Sequence, residues 1–271
     1  MSSHVRAAVL RGDDMTKLKR VLLPALTIVV LLVLWQIVVV LNIVPNYLVP
    51  SPYQVFLALI RDAGLLASHT LVTLEESLLG LAIGVVIGFV IAVLMDRFEG
   101  LYHAFSPLIT VSQTIPVVAI APLLVLWMGF GILPKVVLVA ISTFFPVTVA
   151  LISAFRSVDS DVIDLMRTMG AHRVQIFRHV KLPAAARQFF SGLQISVTYA
   201  VIGAVIAEWL GGDMGLGVYM TRVRKAFAYD RMFAAIVVVS ALSLLLMWFV
   251  GLLKMQLMPW DKQSKNKVKG E

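Results

Sequence analysis

His172 and His179 lie seven residues apart, two helical turns, and therefore share a helix face. No third ligand accompanies them, so they read as surface histidines and no metal site is expected. The chain contains no cysteine, which removes structural disulfides, thiolate metal sites and thiol nucleophiles together. Ser196 and Thr198 carry hydroxyls inside an apolar run with no base near them in sequence, which argues against a hydrolase. Residues 211–217, GGDMGLG, are glycine-rich but lack the Lys-Ser/Thr ending of a phosphate loop and any preceding strand, so they read as a turn. What survives is the chemistry of contact. Residues 161–183, DVIDLMRTMGAHRVQIFRHVKLP, are the one long polar passage in the middle of the chain, and Arg167, Arg173 and Arg178 there offer charged hydrogen-bond donors. Ser112, Gln113 and Thr114 place uncharged hydrogen-bonding groups in an apolar stretch beside Pro116. Glu208 ends another such stretch, where a carboxylate is costly and often functional. It is read foremost as a gate or a structural pair with Arg222 or Arg224, and also as a pathway candidate.

The elements that must position these residues are membrane spans. The chain has 271 residues, 60% of them hydrophobic and 14% charged, with a mean hydropathy of +0.93. Soluble domains are only about 45–50% apolar. Several charge-free windows reach the roughly 20 residues a helix needs to cross a bilayer. Continuous apolar runs, without the alternation of a barrel, predict an all-α membrane protein. Six transmembrane helices are expected, over residues 21–44, 77–95, 103–128, 136–155, 189–207 and 232–253. The third is expected to be interrupted by Pro107, Pro116 and Pro122, which marks it as a pathway-lining element. Gly80, Gly84 and Gly88 give the second a smooth face suited to close packing within one subunit, with Glu75 and Glu76 capping its outer end. The domain layout is a segment 1–20, a six-helix domain 21–257 with a polar loop 157–187, and a tail 258–271. Of the 23 Lys and Arg, this layout puts 17 on the side of both termini and the loop and six on the other, so termini and loop are expected in the cytoplasm. The net charge of +8 thus reads as a topology signal, and no nucleic-acid binding is expected.

The order of residues in the loop carries a resemblance. Asp164, Leu165 and Met166 are followed by three residues to Gly170, nine more to Val180, one more, and then Leu182-Pro183. This resembles the EAA motif of permease subunits of bacterial ABC importers, Glu-Ala-Ala, three residues, Gly, nine residues, Ile, one residue, Leu-Pro, with Asp164, Leu165, Met166 and Val180 departing from it. Pro116, Pro122, Gly129-Phe130-Gly131, Lys135, Glu208 and Gly215-Leu216-Gly217 look like the permeases of the nitrate, sulfonate, taurine and thiamine-precursor group. The resemblance implies a type I importer permease (MetI-like) fold in a bacterial inner membrane, and a coupling helix docking on an ATP-binding subunit through Asp164, Arg167, Gly170, Ala171, His172, Arg173, Leu182 and Pro183. Pro183 would end the loop's second helical piece before the fifth span. The implied partners are a second permease subunit as a homodimer, two ATP-binding subunits that bind ATP and magnesium, and an extracytoplasmic solute-binding protein. No cofactor or catalytic residue is expected in this chain. The pathway candidates are Ser112, Gln113, Thr114, Pro116 and Glu208, and the solute would be a thiamine pyrimidine precursor, a sulfonate or taurine, or nitrate. The alternative reading is an ion-coupled secondary transporter or channel that needs no ATPase.

Overall fold

The computed structural model describes residues 3–45 and 48–259, with side chains from residue 22 onward. The expected tail beyond residue 259 and the side chains of the basic segment 1–20 lie outside the described residues. All regular structure among them is helical: α1 (Ser3–Val40), α2 (Pro52–Arg61), α3 (Ala63–Arg97), α4 (Glu99–Ser112), α5 (Val117–Met128), α6 (Ile132–Arg156), α7 (Ser160–Thr168), α8 (Arg173–Ile176), a π-helical turn (Phe177–Lys181), α9 (Leu182–Leu210), α10 (Leu216–Lys225) and α11 (Tyr229–Leu257). Five helical stretches are long and apolar enough to cross a membrane, and α4 with α5 makes a sixth if the bent pair is counted as one span.

Besides α1, which begins at Ser3 and not near residue 21, three boundaries differ from the expectation. First, α3 starts fourteen residues ahead of the apolar run, because residues 66, 69, 73, 76, 77, 80, 84 and 88 follow helical spacing and form one buried stripe. Glu75 and Glu76 are therefore inside a helix and not at its cap. Second, only one of the three prolines breaks the third span. Pro107 and Pro122 sit within α4 and α5, whereas at residues 113–116 the chain bends by 98°. There Thr114 and Ile115 donate to carbonyls three residues back, Val111 and Ser112, and Pro116 has no N–H to carry the ladder on. Third, Pro183 does not end the helix before it. Residues 173–210 run on as one helical stretch through the π turn, in which the Leu182 N–H reaches Phe177 O. That wider turn seats Pro183 in the first turn of α9, where its missing N–H is no loss.

The chain divides into two compact units. One comprises residues 1–63 with 223–234. Within it Val55 and Ala58 of α2 pack on Ala234, with Trp35 and Phe233 beside them, their rings 5.8 Å apart. Ser51 caps α2 through a reciprocal box with Gln54, and Arg231 meets Asp62 at 3.3 Å.

The other unit comprises residues 64–222 with 235–271. Its core is built on α6, which packs most extensively against α9. Leu138 and Ala207 join Ala121 and Leu124 of α5, and Val147, Leu151, Ala154 and Phe155 join Ala92 of α3 and Ala185 of α9. The stripe of small residues on α3 lies against α6: a Cβ at Gly84 would collide with Thr143 Oγ1 and sit 2.7 Å from Ala140 O. The expected packing within one subunit is what these glycines serve.

Candidate functional site

The 161–183 loop is two helices joined by a defined turn. The Asp159 carboxylate accepts the Asp161 N–H at 2.9 Å and starts α7. Gly170 ends it with φ of +81°. Its N–H donates to Arg167 O, and the Ala171 N–H donates to Met166 O, both at 2.9 Å. That pair of bonds around a left-handed residue is a Schellman cap, in which glycine avoids the steric cost a side chain would carry. The His172 N–H then donates to Gln175 Oε1 at 2.7 Å and opens α8.

The second half of the loop is fixed to the helical core. Lys181 Nζ donates to Asp96 Oδ1 at 2.6 Å, and the Phe177 ring lies 5.4 Å from that of Phe155. Asp164 and Arg167 pair with each other at 2.9 Å on the exposed surface. Arg173, Leu182 and Pro183 are exposed. No residue of α7 is buried, and Leu165 and Met169 stand 61% and 75% exposed. Both are apolar side chains standing out from an otherwise polar loop.

Ser112, Gln113, Thr114 and Pro116 gather at the 98° break. Ser112 Oγ donates to Ile109 O at 2.9 Å and Thr114 Oγ1 to Val111 O at 2.7 Å, carbonyls that also accept the Gln113 and Thr114 N–H groups. Of the four, Gln113 alone lines an open cleft of about 510 Å³ between α4 and α6, with Ser106, Thr110, Ser153, Ser157 and Arg156. That lining carries hydroxyl, amide and guanidinium groups.

Glu208 lies elsewhere, 2% exposed, at the end of α9. Its Oε1 accepts from Thr73 Oγ1 at 2.7 Å and its Oε2 from the Gly217 N–H at 2.6 Å. Arg222, one expected partner, donates instead to Asp213 O at 2.7 Å. The Leu216 N–H reaches Thr73 Oγ1 at 2.8 Å, and the Gly215 N–H reaches His69 Nδ1 at 2.9 Å. Residues 211–217 are thus a turn, as expected, but one bound down by buried side chains of α3 and α9. Gly215 takes φ of +123°, and a Cβ there would run into the Glu208 carboxyl. Beside it, Lys135 Nζ donates to Glu76 Oε1 at 2.6 Å, with side chains 6% and 3% exposed. Sequence reasoning missed His69, Thr73, Glu76 and Lys135 as one cluster. The available signal was that Glu76 and Lys135, of opposite charge, fall on the same side of the membrane, at the outer ends of the second and fourth expected spans.

Comparison with known proteins follows the same lines. Residues 84–257 match the family described as binding-protein-dependent transport system inner membrane component. A probable ABC transporter permease protein of Haemophilus influenzae is 41% identical over 227 residues, 84% of this chain and 93% of the relative. The formylaminopyrimidine transport permease protein of Halalkalibacterium halodurans is 37% identical over 242 residues, 89% of this chain and 96% of the relative. Among solved structures, the MetNI methionine ABC transporter in an inward-facing conformation matches with a TM-score of 0.62 at 19% identity, over 73% of this chain and 97% of that one, which is a likeness of fold.

Proposed function

Because this chain belongs to the binding-protein-dependent transport system inner membrane components, and is thus a multi-pass ABC importer permease, we propose that two copies enclose a solute pathway whose opening is driven by two ATP-binding subunits. ATP and magnesium are bound by those subunits, and an extracytoplasmic binding protein delivers the solute. The carrying observation is the Schellman turn at Gly170, which presents Leu165 and Met169 outward on a loop tied to the core through Lys181 and Asp96. Closure of the ATP-binding subunits pushes on α7 and α8, and the tie passes the displacement to α3 and α9. The excess of Lys and Arg on the side of the loop supports a cytoplasmic placement.

The solute is small and polar. Gln113 and the hydroxyls of its cleft supply uncharged hydrogen bonds to it. Similarity to the formylaminopyrimidine permease puts a thiamine pyrimidine precursor ahead of sulfonates, taurine and nitrate. An ion-coupled carrier would need buried charges, and Glu76, Lys135 and Glu208 are such groups. Three of the four carboxylate oxygens, however, are taken by Lys135, Thr73 and the Gly217 N–H, an arrangement suited to holding a loop.

The test is to purify the tagged full-length chain from membranes and reconstitute what comes with it. An ATP-binding subunit should accompany the chain, and uptake of formylaminopyrimidine should require ATP and exceed that of taurine or nitrate. Gly170→Pro, which can take neither the positive φ nor donate the capping bond, should leave ATP hydrolysis but abolish uptake. Transport that proceeds without ATP and without such a subunit would overturn the reading.

A further inference from the structure

The end of the core that carries the loop contains a second cleft, of about 620 Å³, formed by the last residues of α3 and α6, by α7 and by residues 173–181. Arg97, Arg156, Arg167, Arg173 and Lys181 line it, against Asp96 and Glu99. Asp96 holds Lys181 at 2.6 Å, and exposed Glu99 lies 3.9 Å from His103, an ion pair only when that histidine is protonated. Arg167 is matched by Asp164. Among the described residues, no carboxylate lies within ion-pair distance of Arg97, Arg156 or Arg173. Two of these guanidinium groups rest on aromatic rings instead, Arg97 over Phe98 at 5.5 Å and Arg156 over Tyr102 at 3.6 Å. Three such guanidinium groups against the one carboxylate of Glu99 leave the cleft with an excess of positive charge.

The chemistry of an occupant can be read from both walls. Guanidinium forks match the oxygens of a phosphate. The α3 wall is apolar, and Leu94 on it continues an exposed stripe of Ile83, Val86, Ile87 and Val90, all on one helix face by their spacing. A molecule that satisfies both has an anionic phosphate head and a long hydrocarbon body. We propose that this cleft binds the headgroup of an anionic phospholipid, whose acyl chains lie along the α3 stripe. Basic pockets at the ends of membrane helices bind such heads through direct contact and through the surface potential. Leu165 and Met169 are not part of the lining, so the outward face of α7 stays free for a protein partner while the lipid fills the inner side. The site requires only that the chain lies in a bilayer; because Arg156 also lines the Gln113 cleft, lipid contact and not uptake is the readout that separates it from the transport reading.

The chain has no cysteine, so a single Leu94→Cys in the full-length protein gives a unique fluorophore position. The labelled protein is placed in vesicles of equal phosphatidylglycerol and phosphatidylcholine, with bromine on the chains of one lipid or the other. Bromine on phosphatidylglycerol should quench about fivefold more than bromine on phosphatidylcholine, the order expected of one basic contact to an anionic head. The combined Arg97→Gln and Arg156→Gln replacement should bring that ratio to the value of a control label at Leu244→Cys on exposed α11. Equal quenching by the two lipids in the unreplaced background would overturn the proposal without recourse to any variant. A preference that survives the replacement would do so too. Loss of the preference when chloride is exchanged for inorganic phosphate at constant ionic strength would assign the cleft to a soluble anion, and the lipid assignment would fail.

Discussion

Lys135 carries an ammonium into a site where its side chain is 6% exposed and its anionic partner, Glu76, lies at 2.6 Å. Removing one member of such a pair strands the other charge, so Lys135→Met should destabilise the protein by about 3–5 kcal/mol. Lys135→Met with Glu76→Leu should recover most of that loss, since the stranded charge is gone. Thermal unfolding of the detergent-solubilised chain reads both, and an equal fall in the single and double variants would show that the pair is not what holds this region. The partners at this scale were the least legible part of the sequence. Glu208 was matched with basic residues close by in the chain, yet its contact with Thr73 spans 135 positions, and no spacing rule reaches that far. Gly170 was legible, because a fixed distance to Leu182-Pro183 framed it and a helix end with φ above zero calls for glycine.

Helices and their contacts were legible in proportion to how local their causes are. Apolar runs located every long helix to within several residues of its ends, apart from the starts of α1 and α3, where polar residues extended the helix without extending the apolar signal. Proline misled twice. The sequence shows where an N–H is missing, but not whether the helix runs on around it, as it does through the π turn before Pro183 and at Pro107 and Pro122 but not at Pro116. The α3–α6 interface gives an element-scale prediction. At Gly84 a Cβ meets Thr143 and the Ala140 carbonyl, whereas at Gly64 nothing lies within 4 Å. Gly84→Ala should therefore cost about 1–3 kcal/mol by overpacking, and Gly64→Ala should be neutral or stabilise by up to about 1 kcal/mol. The same unfolding measurement separates them, and equal effects would mean that the two helices are not in close contact at Gly84.

At the scale of the whole molecule, the two ends of the core do different jobs. One end holds the 211–217 turn to α3 and α9 through the buried side chains of His69, Thr73 and Glu208, with the Lys135–Glu76 pair beside them. The other presents an exposed loop tied to α3 by a single ion pair, Lys181 with Asp96. A rigid end and an anchored, outward-facing end are what a permease needs if force is to enter at one place and be transmitted along its helices. Breaking the tie with Asp96→Asn should leave the chain inserted and still associated with the ATP-binding subunit, while lowering the uptake obtained per ATP hydrolysed; an unchanged ratio would remove the ion pair from the transmission path. The most direct test of the account places a single cysteine at Met169, 75% exposed at the turn, and cross-links it in native membranes. The account predicts a covalent product containing an ATP-binding subunit, formed by a reagent that reaches the cytoplasmic face. Labelling of Met169→Cys only from the outer face, or no product with such a subunit while ATP-driven uptake persists, would contradict it.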